Sequence, residues 1–348
     1  MNECAPRDFA TVRLSPADRK VIEHLAAQLS GTDPDTEVGR YVLQAQLLAA
    51  GLPARVRTAL LRFRQDGDAR GGILLRGLPL GQVPPTPEDA DRGGGLRLLA
   101  AHVLSLVVGV VGEQFGFLPE LSGRIVQDIL PVSGFEDTQH SISSRALLEL
   151  HCETAFTESR ADFVALLCLR ADPERRAATL VSPVRESLAR LAPATVELLR
   201  EPRFVTTVDG SFLRGSGIPG PVTVGPISLL GGSADHPRMR CDFAETKGTD
   251  PLAREAVSAL HEAASASAHA VRLCPGDLLL VDNHSAFHGR TSFIRHGEGR
   301  DRWLLRGFVA RDLARSIVNR PGAGRIIDID YEKAASGAAP NRAAAAAT

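Results

Sequence analysis

Apolar positions recur at helical spacing near the start of the chain. Val21, Ile22, Leu25 and Leu29 follow Ser15-Pro16-Ala17-Asp18, which offers a capping serine, a proline at the first helical position and an acid at the third. Gly31 stops that run. A second helix is predicted from about Ala54 to Gln65, ended by Gln65-Asp66-Gly67, and Gly72 to Leu75 reads as a short strand. Residues 80–95 carry Pro84-Pro85, Pro87 and Gly93-Gly94-Gly95 and read as a loop; no Gly-Lys-Ser/Thr follows the glycines, so they do not make a phosphate loop. Leu96 to Val111 is apolar but interrupted by Arg97 and His102, too short to span a bilayer, and reads as a buried helix.

From Arg124 onward the period shortens. Strand candidates are 124–132, 146–150, 163–170, 178–182, 204–209, 278–283 and 303–310, with helices at about 184–200 and 251–270. Many short strands with Gly/Pro turns and flanking helices predict a mainly β (α+β) fold of sandwich or jelly-roll type, not a doubly wound sheet. The expected division is an N-terminal helical region over 1–69, a β-rich domain over 70–334, and a low-complexity, disordered tail over 335–348.

Composition narrows the function classes. Forty basic against 41 acidic side chains leave a net charge of −1, which argues against nucleic acid as a partner. No apolar leader is visible in MNECAPRDFA, and no segment predicts membrane association. The five cysteines, Cys4, Cys152, Cys168, Cys241 and Cys274, are odd in number and scattered, which fits reduced thiols in a cytoplasmic protein. The sequence carries no signal for an oligomeric state.

The chemistry concentrates in two segments. In Leu150-His151-Cys152-Glu153-Thr154-Ala155-Phe156, a strand would put His151 and Glu153 on one face and Cys152 on the other. Such a pair can supply two ligands to a metal, and a distant histidine would complete a facial triad of the kind that favours Fe(II) and leaves coordination positions open. The second segment runs from Gly276-Asp277 through Asp282-Asn283-His284 to His288-Gly289-Arg290. His284 and His288 both compete for the third position. Arg302, in Asp301-Arg302-Trp303, could grip the far carboxylate of a dicarboxylate by a forked pair.

Over roughly residues 70–315 the sequence resembles the clavaminate synthase-like branch of the Fe(II)/2-oxoglutarate-dependent oxygenases, in the TauD-type superfamily. That branch includes arginine β-hydroxylases of peptide-antibiotic pathways. The likeness rests on HxE followed by Thr-x-Phe, on the GDLLxxDN…xHGR block and on DRW…R. It implies a double-stranded β-helix core, iron ligands His151, Glu153 and His288 (the position before Gly-Arg, not His284), and Arg302 as anchor of 2-oxoglutarate. Thr179 and Arg306 would also contact the cosubstrate, Arg306 lying near the cosubstrate or substrate carboxylate. Ser141, Asp242, Gln127 and Asp209, with Glu153, would form a substrate shell; read without the family, Asp209 and Asp242 are equally solvated loop acids.

The resemblance implies hydroxylation of a free L-amino acid with Fe(II), 2-oxoglutarate and O2, L-arginine or another basic amino acid first. Desaturation of the same substrate, or hydroxylation of a neutral or carrier-bound amino acid, stands as the alternative. The retained Glu153 argues against halogenation. A metal-stabilised module without catalysis is the reading from another class; structural zinc usually takes four protein ligands and is thiolate-rich. Cys152, facing away from the ligands, is expected in the core, and Arg290 as a structural ion-pair partner.

Overall fold

The computed structural model describes residues 9–90, 94–95, 97–213 and 220–329. Cys4 and the tail expected over 335–348 lie outside the described residues. The chain opens with β1 (Ala10–Arg13), α1 (Pro16–Ala27), α2 (Val38–Ala49) and α3 (Ala54–Asp66). There follow β2 (Gly72–Arg76), α4 (Leu99–Val108), β3 (Glu113–Phe117), β4 (Gln127–Ile129), β5 (Leu148–His151), β6 (Phe163–Arg170) and β7 (Thr179–Pro183). The middle holds α5 (Val184–Leu188), α6 (Pro193–Leu198), β8 (Phe204–Thr207), α7 (Gly210–Leu213), β9 (Thr223–Ile227), β10 (Leu230–Gly232), β11 (Pro237–Met239), β12 (Thr246–Gly248) and α8 (Pro251–Ala266). The chain ends in β13 (His269–Val271), β14 (Leu278–Asp282), β15 (Ala286–Arg290), β16 (Trp303–Ala310) and β17 (Ile326–Ile327).

Two sheets dominate this α+β arrangement. The larger has the order β1-β2-β14-β6-β16-β3-β17, with β4 pairing β16 beside β3, and the smaller has the order β13-β7-β15-β5. Alternation along the strands of the larger sheet divides its side chains between two cores. Phe163, Ala165, Leu167 and Leu169 of β6, with Trp303, Leu305 and Val309 of β16, pack under α1–α4. Val164, Leu166 and Cys168, with Leu304, Phe308 and Ala310, face the smaller sheet through Val181 and Ala286. A third core joins Leu150, Cys152 and Phe287, on the outer side of the smaller sheet, to Ala253, Leu260 and Ala264 of α8. His151 and His288, which alternate with those outer residues, lie on the inner side of the smaller sheet.

Local chemistry explains several boundaries. Ser15 caps α1 through a full capping box with Asp18, and Gly67 stops α3 at φ 70°, a conformation costly for other residues. The helix expected over 184–200 is two short helices, because Pro193 cannot continue a preceding helix and instead starts a new one. The strand expected over 124–132 shrinks to Gln127–Ile129. β1 and β3 are too short to carry a period in the sequence, and β1 forms as the parallel edge partner of β2; α2 was not expected although Tyr41, Val42, Ala45 and Ala49 recur at helical spacing.

Candidate active site

β15 runs between β5 and β7, and its register sets His288 directly opposite His151. The two strands approach closely at Gly289, where a Cβ atom would meet the Leu148 carbonyl oxygen at 2.6 Å. The two imidazole rings lie 4.3 Å apart between centroids. β5 ends at His151, so Glu153 does not continue the strand as the sequence suggested; it opens a turn in which Thr154 has φ 50°. It still faces the two histidines. One ligand atom from each of His151, Glu153 and His288 lies within 4.8 Å of the others, the one such cluster among the described residues.

The protonation pattern suits a cation. His151 Nδ1 lies 2.8 Å from the Glu149 carbonyl, which fixes the Nδ1–H tautomer and leaves the Nε2 lone pair aimed inward. Both Nε2 atoms converge on Glu153 Oε2, at 3.8 Å from His151 and 3.1 Å from His288. Burial disfavours charge on His151, but the Glu153 hydrogen bond and the charges of Asp242 and Glu153 outweigh it and raise the imidazole to about 9. Burial and the neighbouring His151 lower His288. Without a metal the cluster holds one proton between His151 and the ionised Glu153, and a divalent metal takes that place by displacing it, which frees both Nε2 lone pairs.

Arg306 braces the cluster. It projects from the inner face of β16 and donates from Nη1 to Glu153 Oε1 at 2.9 Å, from Nε to Gln127 Oε1 at 2.8 Å, and from Nη2 to Glu120 Oε1. Gln127 lines none of the cavities around the triad; its amide oxygen is spent on Arg306, its Cα partner across β4 and β16. Gln127 supports Arg306 through Oε1, while its buried Nε2 has no partner among the described residues. Glu120, which lies in no sequence motif, is buried, and its Oε2 has no partner among the described residues. Burial pushes its carboxyl above the usual range, against the pull of Arg306.

Arg302 and Thr179 join the triad and Arg306 around a cavity of about 50 Å³. Arg302 is buried, and among the described residues it forms no hydrogen bond or ion pair; its guanidinium lies 5.9 Å from the centroid of the Phe293 ring. An unpaired buried cation is costly, so the site is built to receive an anion. Arg290, by contrast, donates to the Ser143 carbonyl, to Ser143 Oγ at 3.1 Å and to the Ala146 carbonyl at 2.8 Å. It is structural as expected, but its partners are backbone and hydroxyl oxygens, not acids.

On the other side the triad opens into a cavity of about 410 Å³ that Ser141, Asp209 and Asp242 all line. Its walls carry six carboxylates, Glu120, Glu149, Glu153, Asp209, Asp242 and Glu245, against the single guanidinium of Arg306. Asp242 bridges to His151 through the backbone, and burial raises its carboxyl, opposed by the His151 charge. Asp209 and Asp242 are therefore cavity acids and not solvated loop residues.

The competing histidine is excluded by its contacts. His284 lies 2.8 Å from Asp162 Oδ1 through Nε2 and 2.9 Å from Arg160 through Nδ1, so neither ring nitrogen is free for the triad. His102 bonds Tyr41, His261 bonds Glu149, and His269 bonds Arg70. Cys152 faces the core as expected. Asn283, part of the Asp282-Asn283 motif but given no role from the sequence, bonds the backbone of Glu153 on both sides.

Comparison with known proteins agrees with this geometry. Residues 229–308 match the model of the taurine catabolism dioxygenase TauD, TfdA family. The chain is 39% identical to L-asparagine oxygenase of Streptomyces coelicolor over 94% of this chain and 97% of the relative. It is 36% identical to L-lysine 3-hydroxylase of Catenulispora acidiphila over 84% and 81% of the two chains. Clavaminate synthase 2 of Streptomyces clavuligerus is 33% identical over 80% and 86%. Among solved structures, asparagine oxygenase with Fe(II), 2S,3S-3-hydroxyasparagine and succinate superposes with a TM-score of 0.85 at 38% identity, covering 92% of this chain and 99% of that one. The non-heme iron oxygenase OrfP with Fe, succinate and (3S)-hydroxy-L-Arg gives 0.82 at 30% identity, covering 92% and 100%.

Proposed function

Because the chain belongs to the family of Fe(II)- and 2-oxoglutarate-dependent oxygenases that includes clavaminate synthase and L-asparagine oxygenase, we propose that it hydroxylates a free basic L-amino acid. The observation that carries the substrate class is the cavity wall: Glu120 and Glu153 pair with Arg306 and Glu149 with His261, but Asp209, Asp242 and Glu245 form no ion pair among the described residues. A buried acidic surface selects a cation, because unpaired carboxylates there are costly. L-Arginine, L-lysine and L-ornithine meet that requirement.

His151 Nε2, His288 Nε2 and Glu153 would hold the iron; the donor set and its convergence fit that metal. Iron(II) with 2-oxoglutarate supplies the coupling of O2 reduction and cosubstrate decarboxylation to oxidation of an unactivated C–H bond. Arg302, with Thr179 beside it, takes the far carboxylate of the cosubstrate as a forked pair. Arg306 keeps one oxygen of Glu153 occupied, so that the other faces the histidines. Glu120 offers its unpartnered oxygen to the substrate's α-ammonium, while Asp242 and Asp209 take the distal cation and Ser141 the polar head of the amino acid.

The facing sheets support a double-stranded β-helix domain over 70–334 with residues 1–69 packed on it. The free thiols Cys152, Cys168 and Cys241 support a cytoplasmic location, and no helix among the described residues is long and apolar enough to cross a membrane.

A second reading is a neutral carboxamide amino acid. It is favoured by the 39% identity to L-asparagine oxygenase, since a carboxamide N–H can also donate to Asp242. The deciding experiment is anaerobic titration of L-arginine, L-lysine, L-ornithine and L-asparagine into protein loaded with Fe(II) and 2-oxoglutarate, following the metal-to-ligand absorption band. A shift with the basic amino acids at lower concentration than with L-asparagine supports the first reading; the reverse order replaces it with the second. Product masses of +16 or −2 then separate hydroxylation from desaturation.

A further inference from the structure

A metal-binding carboxylate usually gains its precision from the secondary structure that carries it. Glu153 has none. β5 stops at His151, and the chain turns through Glu153 into the left-handed Thr154.

One side chain stands where the next strand would be. The Glu153 N–H donates to Asn283 Oδ1 at 2.6 Å, and Asn283 Nδ2 donates back to the Glu153 carbonyl at 3.1 Å. A hydrogen-bonded pair in an antiparallel ladder makes the same exchange of N–H and C=O. The second Nδ2 proton goes to the Ala161 carbonyl at 2.9 Å, across the loop that leaves the site. Both donors of the amide are used, and this network fixes which way the amide points.

Asn283 is itself held rigidly. It is fully buried, and its N–H donates to the Asp162 carbonyl at 2.9 Å. Its neighbours are anchored as well: Asp282 Oδ1 accepts from the His284 N–H at 2.9 Å, and His284 Nε2 bonds Asp162. This turn joins β14 to β15, the strand that carries His288. The same short turn therefore sets the place of both Glu153 and His288.

We propose that Asn283 is a positioning residue for the iron ligand Glu153, its carboxamide replacing a strand neighbour and fixing the carboxylate relative to His288. The proposal rests on the reading of Glu153 as a ligand. Asparagine is required because the position needs an acceptor and two donors at one fixed reach. Aspartate has the same shape but would turn a negative charge toward two carbonyl oxygens and leave them without donors. Glutamine keeps the amide but moves it by one methylene.

The test is titration of the metal-free protein with Co(II), whose visible absorption reports ligand geometry. Asn283→Asp is expected to bind Co(II) about tenfold or more weakly, the usual size of an outer-shell effect on metal affinity. Its absorption bands should shift while far-UV circular dichroism stays that of the wild type. Wild-type affinity and bands in folded Asn283→Asp overturn the proposal. Should that variant not fold, Asn283→Gln decides: weaker binding with shifted bands supports the clamp, and unchanged titration removes it. If neither folds, Asn283 serves the fold and the proposal falls. Glu153→Ala in parallel separates the two readings. If it binds Co(II) like the wild type, Glu153 is no ligand and both fail; if it loses Co(II) while the Asn283 variants retain it, only the clamp fails.

Discussion

His151 and His288 face each other from neighbouring strands, their rings 4.3 Å apart and tilted by 51°, with Glu153 Oε2 between their Nε2 atoms. The strand register brings the two rings together, and the two Nε2 atoms and the carboxylate converge on one point, as the donors of a metal site do. The arrangement is a receptor for a cation, and its energetics follow from that.

Metal loading should therefore stabilise the fold. A ligand present at 100 times its Kd adds about 2.7 kcal/mol, which thermal unfolding under anaerobic conditions reads as a rise in Tm on adding Fe(II). His288→Ala is expected to abolish the rise. A variant that still gains the full shift would show that the ion binds elsewhere.

Arg302→Ala separates cosubstrate from metal. The guanidinium is buried and has no hydrogen-bond or ion-pair partner among the described residues, which leaves its forked contact to a ligand. Charge-assisted hydrogen bonds are worth roughly 2–3 kcal/mol, which corresponds to an increase of about 30- to 150-fold in the 2-oxoglutarate concentration required. Iron affinity should stay within a few fold. Loss of iron together with 2-oxoglutarate binding would mean that Arg302 supports the triad instead.

The sequence disclosed these parts unevenly, for physical reasons. β6 and β16 were legible to the residue because a near-continuous apolar run of eight residues between polar segments describes a strand buried on both faces. His151, Glu153, His288 and Arg302 were legible because their motifs lie within short segments. What escaped depends on pairing over long separations. Gln127 has its amide oxygen taken by an arginine 179 residues away, and Glu120 is held by the same arginine at a separation of 186. The end of β5 at His151 was hidden too, since the support that makes a strand unnecessary at Glu153 comes from Asn283, 130 residues on.

Asp242 tests the charge argument for the substrate. Its carboxylate lines the 410 Å³ cavity beside His151. Asp242→Ala should weaken L-arginine or L-lysine binding by roughly 2–3 kcal/mol, the cost of losing a charged hydrogen bond, and L-alanine or L-leucine much less. Binding constants from the anaerobic titration supply the comparison. Equal losses for charged and uncharged amino acids would remove Asp242 from the substrate shell.

Arg306 makes the last prediction, and it carries a pH signature. Its guanidinium lies between Glu120 and Glu153, both buried, and Gln127 holds its third side. Arg306→Met keeps the apolar bulk but leaves two buried carboxylates facing each other without their cation, a loss of about 3–5 kcal/mol at neutral pH. Burial already raises Glu120, and Arg306 is the main influence holding it down; without Arg306 its folded value rises further. A carboxyl raised on folding binds its proton more tightly in the native state, so stability falls as pH rises through the interval from the unfolded value, about 4.3, to the folded one. The deficit of Arg306→Met should accordingly be greatest near pH 7 and shrink steadily toward pH 5, as Glu120 is neutralised by a proton. Urea midpoints of the metal-free proteins at pH 5, 6 and 7 measure it. A deficit that stays constant over that range would mean that Arg306 contributes through packing on Phe308, over whose ring it lies at 4.6 Å, and not through its charge.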